Sequence, residues 1–479
     1  MNKTCSRRVR VRPACAVALS VLVCCAAIGS QALRAQGGGP LTLSGTLRAE
    51  QPGQTPYQVI VPDGWKGTLV LDLDFVSGWP AAQRQWFLDR GYAIGGITRA
   101  NNVASYAMRD YVDNFLTLRR LVTEQKSAPT RTLVTGVSRG AYVALAAIDA
   151  EPDVFAGAVA LSGGSLGLVA RMLSKLDRTW ALKTLVDPAS SLTLVNLPPL
   201  PARTVPPTPY VEDAALTALV EKARSTPLGR ARLMLAAAFD QVPRWGTRNT
   251  PAPAADDLDG QLDQVADNFG GGFNQSLRWA VEAAAGGNVS WNHGVDYADL
   301  LARSGLADLV AHAYRKAGAD LQSDLATLAK APRVAADPAA LARAERGLLS
   351  YSGRIKGPVI IGTTTGDPAE APSIESAYVD TVRRAGGVDL VRTIFTARPG
   401  HASWSVLERV TAFQALVERL DTKQWGTIGQ VPDMRERAAR LKAGSQVDLG
   451  TELFVDLHPA PALRTWDATN WGSYRQPAR

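Results

Sequence analysis

The sequence has few cysteines, and all of them lie near its start. Among 479 residues only Cys5, Cys15, Cys24 and Cys25 carry a thiol. Beyond residue 35 the chain therefore has no group for a disulfide, a thiolate metal site or a cysteine nucleophile. We expect a fold that rests on a large hydrophobic core instead of cross-links.

Long hydrophobic runs are also missing, apart from one at residues 14–29. Residues 1–13 before it carry five basic and no acidic side chains, and small residues follow it. A run of this length is short for a membrane-spanning helix, and the order basic, apolar, small is typical of a secretory signal peptide. The sequence predicts a signal peptide over residues 1–35, a secreted or periplasmic protein, and no membrane span once the peptide is removed. A retained N-terminal anchor is the alternative.

Neither positive nor negative charge is in large excess once residues 1–35 are set aside. The chain has 52 basic and 44 acidic residues, and six of the basic ones lie in residues 1–35, which leaves 46 against 44. Such a balance gives no bulk basicity for binding nucleic acid. The full sequence is 46% hydrophobic, and the roughly 445 residues after the leader predict a globular protein larger than one ordinary domain.

Short β-branched runs alternate with amphipathic stretches over residues 36–165. This alternation predicts an α/β fold, with a mostly parallel sheet that helices cover on both faces. Residues 166–355 lose the alternation and have helical periodicity, which predicts an inserted, mainly helical cap. The sheet pattern returns over residues 356–425, and residues 426–479 form a C-terminal extension of mixed character.

Two pentapeptides have the pattern Gly-x-Ser-x-Gly, which can place a serine nucleophile on a sharp turn. GVSRG contains Ser138, and GGSLG contains Ser165. A predicted helix and strand follow Ser138 within about 20 residues, as a βαβ crossover requires, whereas Ser165 leads into the helical region. We therefore predict Ser138 as the nucleophile and Ser165 as a residue that lines the cleft.

A serine nucleophile needs a base, and histidine is rare in this sequence. Of the four histidines, His401 alone follows a predicted strand in a glycine-led loop, with a helix after it. That loop lies at the same sheet edge as Ser138. His458 is the alternative base. His293 and His312 lie in the helical region, and neither has the spacing of a metal site, so we expect no metal and no cofactor.

The carboxylate that orients the base should also follow a strand. Asp367 lies in the loop after the predicted strand at 358–364, whereas Asp380 falls within a helix and Asp389 begins a strand. Asp367 is the predicted acid, and the other two are alternatives.

Residues 131–164 and 362–405 together resemble the nucleophile elbow, acid loop and histidine loop of the α/β-hydrolases. Residues 185–197 and 288–305 are similar to secreted bacterial members with a long helical cap. The resemblance implies a doubly covered α/β-hydrolase sheet with an inserted helical cap. It also implies the chain order nucleophile, acid, histidine, which Ser138, Asp367 and His401 follow.

The resemblance further implies an oxyanion hole of backbone N–H groups. One would come from Arg139, the residue after the nucleophile, and another from Phe75 or Val76, after the third strand. Such enzymes usually carry His-Gly there, whereas this chain has Asp74-Phe75. The tannase and feruloyl esterase group ties its nucleophile and histidine loops with a disulfide, so the lack of cysteine disfavours that group.

These features predict a secreted serine hydrolase that cleaves carboxylic esters through an acyl-enzyme. The substrate is expected to be a small-molecule or oligomeric ester, in a pocket lined by Trp404, Trp291, His293 and Ser165. A peptidase or amidase on the same fold is one alternative. A non-catalytic binding protein is the other, because Asp74-Phe75 replaces the usual pair. The sequence leaves the oligomeric state open.

Overall fold

A computed structural model describes residues 39–48, 54–98, 106–200, 210–246, 250–269, 275–387 and 389–466. The predicted signal peptide at residues 1–35 lies outside these ranges. No helix within them is both long enough and apolar enough to cross a membrane.

The centre of the structure is a nine-stranded sheet in the order β1-β2-β4-β3-β5-β6-β7-β8-β9. Six neighbouring strands, from β4 to β8 in that order, are parallel, whereas β1, β2 and β9 are antiparallel. The predicted mostly parallel sheet is thus confirmed. The strands are β1 Leu41–Arg48, β2 Gln54–Val61, β3 Thr68–Asp72, β4 Ala93–Ile97, β5 Arg131–Val137, β6 Gly157–Leu161, β7 Val359–Gly366, β8 Val391–Pro399 and β9 Phe454–Val455.

Helices cover both faces of this sheet, as predicted. Before the inserted region these are α1 Phe75–Gly78, α2 Ala81–Asp89, α3 Met108–Gln125 and α4 Arg139–Ala150. After it come α14 Glu375–Arg384, α15 Val406–Thr422 and α16 Val431–Ala443. Alternate residues of β3 and its neighbours enter two different hydrophobic clusters, one packed with α3 and α4 and the other with α2 and α15. This accounts for the nearly continuous apolar strands of the sequence, which are buried on both sides.

Between β6 and β7 the described residues form helices alone. They are α5 Leu168–Val186, α6 Val211–Arg224, α7 Pro227–Ala238, α8 Leu258–Phe269, α9 Gln275–Ala285, α10 Tyr297–Arg303, α11 Ala307–Ala317, α12 Leu321–Lys330 and α13 Pro338–Arg346. Most of these helices pack on a hydrophobic cluster of their own, with Leu176, Trp180 and Phe239 among its members. The helical periodicity of residues 166–355 therefore corresponds to helices, and the domain boundaries stay a prediction.

The C-terminal extension contributes a strand to the sheet and contacts the inserted helices, and the sequence had predicted neither. Its β9 pairs antiparallel with β8 and so forms one edge of the sheet. Further along, the Arg464 guanidinium pairs with Asp177 of α5, and Trp466 packs edge-to-face on Trp291 with ring centroids 5.2 Å apart. The extension therefore contacts both the sheet and the inserted helices and links the two.

Candidate active site

Ser138 lies on the sharp turn between β5 and α4. Its φ of +59° is a left-handed conformation that a non-glycine residue rarely adopts. The turn is possible because Gly136 and Gly140 lie close together: a Cβ on Gly136 would approach the Gly140 carbonyl carbon and oxygen to 2.1 Å. The glycines of GVSRG thus let a strand turn into a helix while the serine stays at the apex.

Asp367 and His401 follow two neighbouring parallel strands. Asp367 comes directly after β7, and His401 lies in the loop between β8 and α15. A hydrogen bond from the Gly400 N–H to the Gly366 carbonyl, 2.8 Å long, joins the two loops. Because β7 pairs with β6 and β6 with β5, these loops reach the carboxyl edge that bears Ser138.

The structure brings the three predicted side chains into one hydrogen-bonded line. His401 Nε2 lies 2.7 Å from Ser138 Oγ, and His401 Nδ1 lies 2.9 Å from both carboxylate oxygens of Asp367. Asp367 is fully buried and also accepts the backbone N–H groups of Ala369 and Glu370. The carboxylate is therefore held in place from several directions.

The Asp367 carboxylate stabilises the protonated form of the His401 imidazole. Burial alone would lower the pKa of its imidazole, but the charge and hydrogen bond of Asp367 outweigh burial, and the pKa is raised above its ordinary value of 6.5. A buried carboxylate next to the ring thus favours the charge that the ring acquires when it takes a proton.

The alternative acids and the alternative base lie elsewhere. Asp380 is half-exposed on α14 and pairs with Arg383, and Asp389 is largely exposed beside Arg392. His458 is exposed, 3.4 Å from Asp456 in the C-terminal extension. The structure thus brings neither these acids nor this histidine to Ser138.

The second pentapeptide has a different environment. Ser165 is buried, and its hydroxyl donates to Glu375 Oε2. Burial raises the pKa of Glu375 to about 8, so this side chain is a neutral acid at neutral pH. A Cβ on Gly163 of the same motif would approach the Ser138 carbonyl oxygen to 2.8 Å, so this glycine allows β6 to end against the nucleophile turn.

The chain turns sharply after β3. The strand ends at Asp72, whose carboxylate accepts the Asp74 N–H at 2.8 Å. Phe75 and Val76 then begin the short helix α1, in which the first N–H groups have no intrahelical acceptor. The guanidinium of Arg84 binds the carbonyl oxygens of both residues and fixes these peptides.

Two carboxylates lie beside this turn. A Cβ on Gly140, in the first turn of α4, would lie 3.4 Å from Asp74 Oδ2, so Asp74 borders the turn that carries Ser138. Asp72 is buried, and burial together with the Asp74 charge raises its pKa to about 6. The site thus carries more negative character where the usual His-Gly would stand.

The residues predicted to line the substrate pocket lie in different parts of the structure. Trp404 is buried in the hydrophobic cluster beneath α15 and donates its indole N–H to Ser162 Oγ at 3.0 Å. Trp291 packs on Trp466, and His293 is half-buried in the turn before α10. Their contact with substrate stays a prediction.

Sequence analysis missed a buried cluster of charged side chains beside the acid loop. Arg171, Lys175 and Arg178 lie on one face of α5 and are each 2% exposed or less. Asp240, in the turn after α7, and Glu370, in the acid loop, are buried with them. The signal was present as three basic residues at spacings of four and three in an apolar helix, but nothing in the sequence showed that this face would be buried.

No family model matches the chain. Among solved structures, an esterase from Aspergillus oryzae is 12% identical, with 80% of each chain covered and a TM-score of 0.40. Feruloyl esterase B from the same organism is 12% identical, with 80% of this chain and 81% of that chain covered and a TM-score of 0.38.

One characterised relative is much closer in sequence. An o-phthalyl amidase from Xanthobacter agilis is 31% identical over 395 residues, which cover 78% of this chain and 87% of the amidase. The chain is thus an α/β-hydrolase, and it belongs to the same family as this amidase.

Proposed function

We propose that this protein is a serine hydrolase that cleaves carboxylic esters through an acyl-enzyme. The observation that supports the proposal is the continuous hydrogen-bonded line from Ser138 through His401 to Asp367. In this reaction His401 Nε2 takes the hydroxyl proton as Oγ attacks the carbonyl carbon. The same nitrogen then gives the proton to the leaving alcohol. A water molecule next attacks the acyl-enzyme with the same proton transfers through His401, and the carboxylic acid is released.

The oxyanion of the tetrahedral intermediate needs donors that are already in position. We assign this role to the N–H of Arg139 and to that of Phe75 or Val76. The fixed peptides of α1 and its position near the nucleophile turn support the assignment. Asp74 and Asp72 oppose a nearby anion, and we expect them to lower catalytic efficiency relative to a site with His-Gly.

Hydrolysis of amides is the second candidate, and the 31% identical amidase favours it. An amine leaves poorly unless it is protonated, so this reaction depends more strongly on proton transfer from His401. The raised pKa of His401 suits that step, because the imidazolium persists until the amine departs. By its name, the relative also suggests an aromatic acyl group as the first substrate to try.

The test compares Ser138→Ala with Ser165→Ala, a matched control with the same flanking pattern. We would measure turnover of p-nitrophenyl esters of increasing acyl length, turnover of the matching anilides, and labelling by a fluorophosphonate probe. We expect Ser138→Ala to lose labelling and at least a thousandfold in kcat, while Ser165→Ala keeps both. Turnover that survives in Ser138→Ala would refute the nucleophile assignment. A wild type without turnover or labelling would favour a non-catalytic binding protein.

We also propose that the protein is exported, because the basic, apolar and small-residue order of residues 1–35 supports a cleaved signal. N-terminal sequencing of the protein from the medium or periplasm tests this proposal. A new N-terminus within or just after residues 30–35 is expected, and a cytoplasmic protein that keeps Met1 would contradict it.

A further inference from the structure

Arg171 connects the inserted helices to the acid loop, which is the segment from Asp367 to Glu370. It lies near the start of α5 and is 1% exposed. Its Nη2 donates to the carbonyl oxygen of Ala369, and its Nε lies 3.4 Å from Glu370 Oε2. A buried guanidinium therefore contacts both the backbone and a side chain of the loop that carries the proposed acid.

The contact with Ala369 leads directly to that acid. The Ala369 carbonyl and the Glu370 N–H belong to one peptide group, and this N–H donates to Asp367 Oδ1 at 3.0 Å. The same carboxylate oxygen lies 2.9 Å from His401 Nδ1. Hydrogen bonds in a chain polarise one another, and a charged donor makes a stronger bond than a neutral one. Arg171 thus acts on Asp367 through a single peptide group.

Glu370 is the second group through which Arg171 holds the acid loop. Its carboxylate is buried and accepts the Tyr142 hydroxyl at 2.9 Å. Tyr142 lies on α4, one turn beyond Ser138. A planar guanidinium that contacts a carbonyl and a carboxylate at once fixes their orientation as well as their distance. The acid loop is thereby bonded to α4 on one side and to α5 on the other.

The remaining contacts of Arg171 also lie within the protein. Its Nη1 donates to the carboxylate of Asp240, in the turn after α7, and to Ser174 Oγ at 2.9 Å. Asp240 lies 3.0 Å from Nη1 of Arg178, a second buried arginine of α5. Each nitrogen of the Arg171 guanidinium therefore faces an acceptor of the protein, which favours a role in fixing the loop over a role in binding substrate.

We propose that Arg171 is a positioning residue for catalysis, which holds the acid loop so that Asp367 stays directed at His401. The inference rests on the proposed function, because that function assigns Asp367 and His401 to proton transfer from Ser138. It adds that the inserted region contributes to catalysis, since Arg171 belongs to its first helix. A displacement of about 1 Å in a reacting group can cost about a hundredfold in rate, so a distant arginine can have a large effect.

The experiment compares the full-length wild type with Arg171→Met and Arg171→Lys. The matched control is Arg178→Met, which also removes a buried arginine beside Asp240. Within the described residues Arg178 contacts Asp240 and the ring of Phe269, and none of its contacts involves the acid loop.

Three quantities are measured for each protein. The first is kcat and KM on p-nitrophenyl acetate, a neutral substrate. The second is the melting temperature. The third is the proton NMR resonance of the His401 Nδ1–H, which moves downfield when this group is hydrogen-bonded to a carboxylate. A purely structural role of Arg171 would change the melting temperature and leave this resonance in place.

We expect Arg171→Met to lose about a hundredfold in kcat, to change KM by less than about threefold, and to lose or shift the downfield resonance. Arg171→Lys should recover part of the loss, because one ammonium can bind the Ala369 carbonyl but cannot reproduce the fork that also faces Glu370. Arg178→Met should keep the resonance and stay within about threefold of the wild-type kcat. The two methionine variants should lose similar amounts in melting temperature, since each removes one partner of Asp240.

A second variant acts on the same contact from the loop side. Glu370→Gln removes the charge that faces Arg171 Nε and keeps an oxygen that can accept the Tyr142 hydroxyl. We expect it to lose about tenfold in kcat with little change in KM. This variant decides the question if Arg171→Met does not fold, because a Glu370→Gln protein with the kcat of the wild type would then contradict the inference.

Two further results would overturn the inference while leaving the proposed function intact. One is a folded Arg171→Met protein that loses no more kcat than Arg178→Met, which would give Arg171 a role in stability alone. The other is a loss confined to KM, which would place Arg171 in substrate binding. If Ser138→Ala retained turnover, the proposed function would fail instead, and the two failures are therefore distinguishable.

Discussion

Replacing Asp367 by asparagine tests the central reasoning about this site most directly. The fully buried carboxylate contacts His401 Nδ1 with both oxygens at 2.9 Å. In the proposed mechanism, it therefore faces the imidazolium that forms when Ser138 gives up its proton. Two unit charges about 4 Å apart at an effective dielectric constant of about 20 attract each other by about 4 kcal/mol. Loss of that attraction lowers kcat about a thousandfold.

Asparagine has nearly the same shape but a second disadvantage. Its amide nitrogen cannot accept the Nδ1–H, so the ring is free to flip its tautomer, which can increase the loss to about ten-thousandfold. The assay is the acylation rate of p-nitrophenyl acetate together with steady-state kcat. Asp380→Asn is the control, because this half-exposed acid pairs with Arg383 away from the site. A loss below about tenfold in Asp367→Asn, with the fold intact, would refute the role of Asp367.

Three further outcomes follow from the same structure. The pKa of His401 is raised above 6.5 and its neutral form is the proposed base, so kcat/KM should fall as pH drops through a value above 6.5. A pH–rate profile in which kcat/KM falls only well below pH 6.5 would contradict this. Gly136→Ala should abolish activity or folding, since its Cβ would lie 2.1 Å from backbone atoms. Gly140→Ala should stay within about tenfold of wild-type activity, because its Cβ would lie 3.4 Å from Asp74 Oδ2. Equal effects of the two substitutions on activity and on melting temperature would refute the packing argument. The neutral Glu375 contributes stability that is full below its unfolded pKa of 4.5 and is lost as pH rises through about 8. Glu375→Gln should therefore be more stable than the wild type at pH 9, by up to about 5 kcal/mol, and should show no such advantage at pH 4 in denaturant titrations.

The sequence predicted the sheet-forming half of the chain well for a local reason. The alternation of apolar strands and amphipathic helices depends on residues close together in the chain, and so do the glycines around Ser138. The loops of Asp367 and His401 were located because parallel strands end at one edge of the sheet. Sequence alone thus named three side chains that the structure places in one hydrogen-bonded line.

The misses share a different cause, which is dependence on distant partners. The short strand β9 exists because β8 offers it a free edge, and no pattern in two residues predicts that. GVSRG and GGSLG are equivalent as strings, yet Glu375, 210 residues away, engages Ser165.

By itself, the sequence determined the α/β class and the helical character of the insertion, and it singled out Ser138, Asp367 and His401, because periodicity and turn chemistry act over a few residues. The tertiary structure decided which charged side chains are buried together. Lys175 shows the difference: its neighbours in the sequence predict an ordinary helix, and only the packing of α5 buries its side chain beside two arginines and two carboxylates. Electrostatic free energy depends on distance and solvent exclusion in three dimensions, and neither is encoded in local sequence.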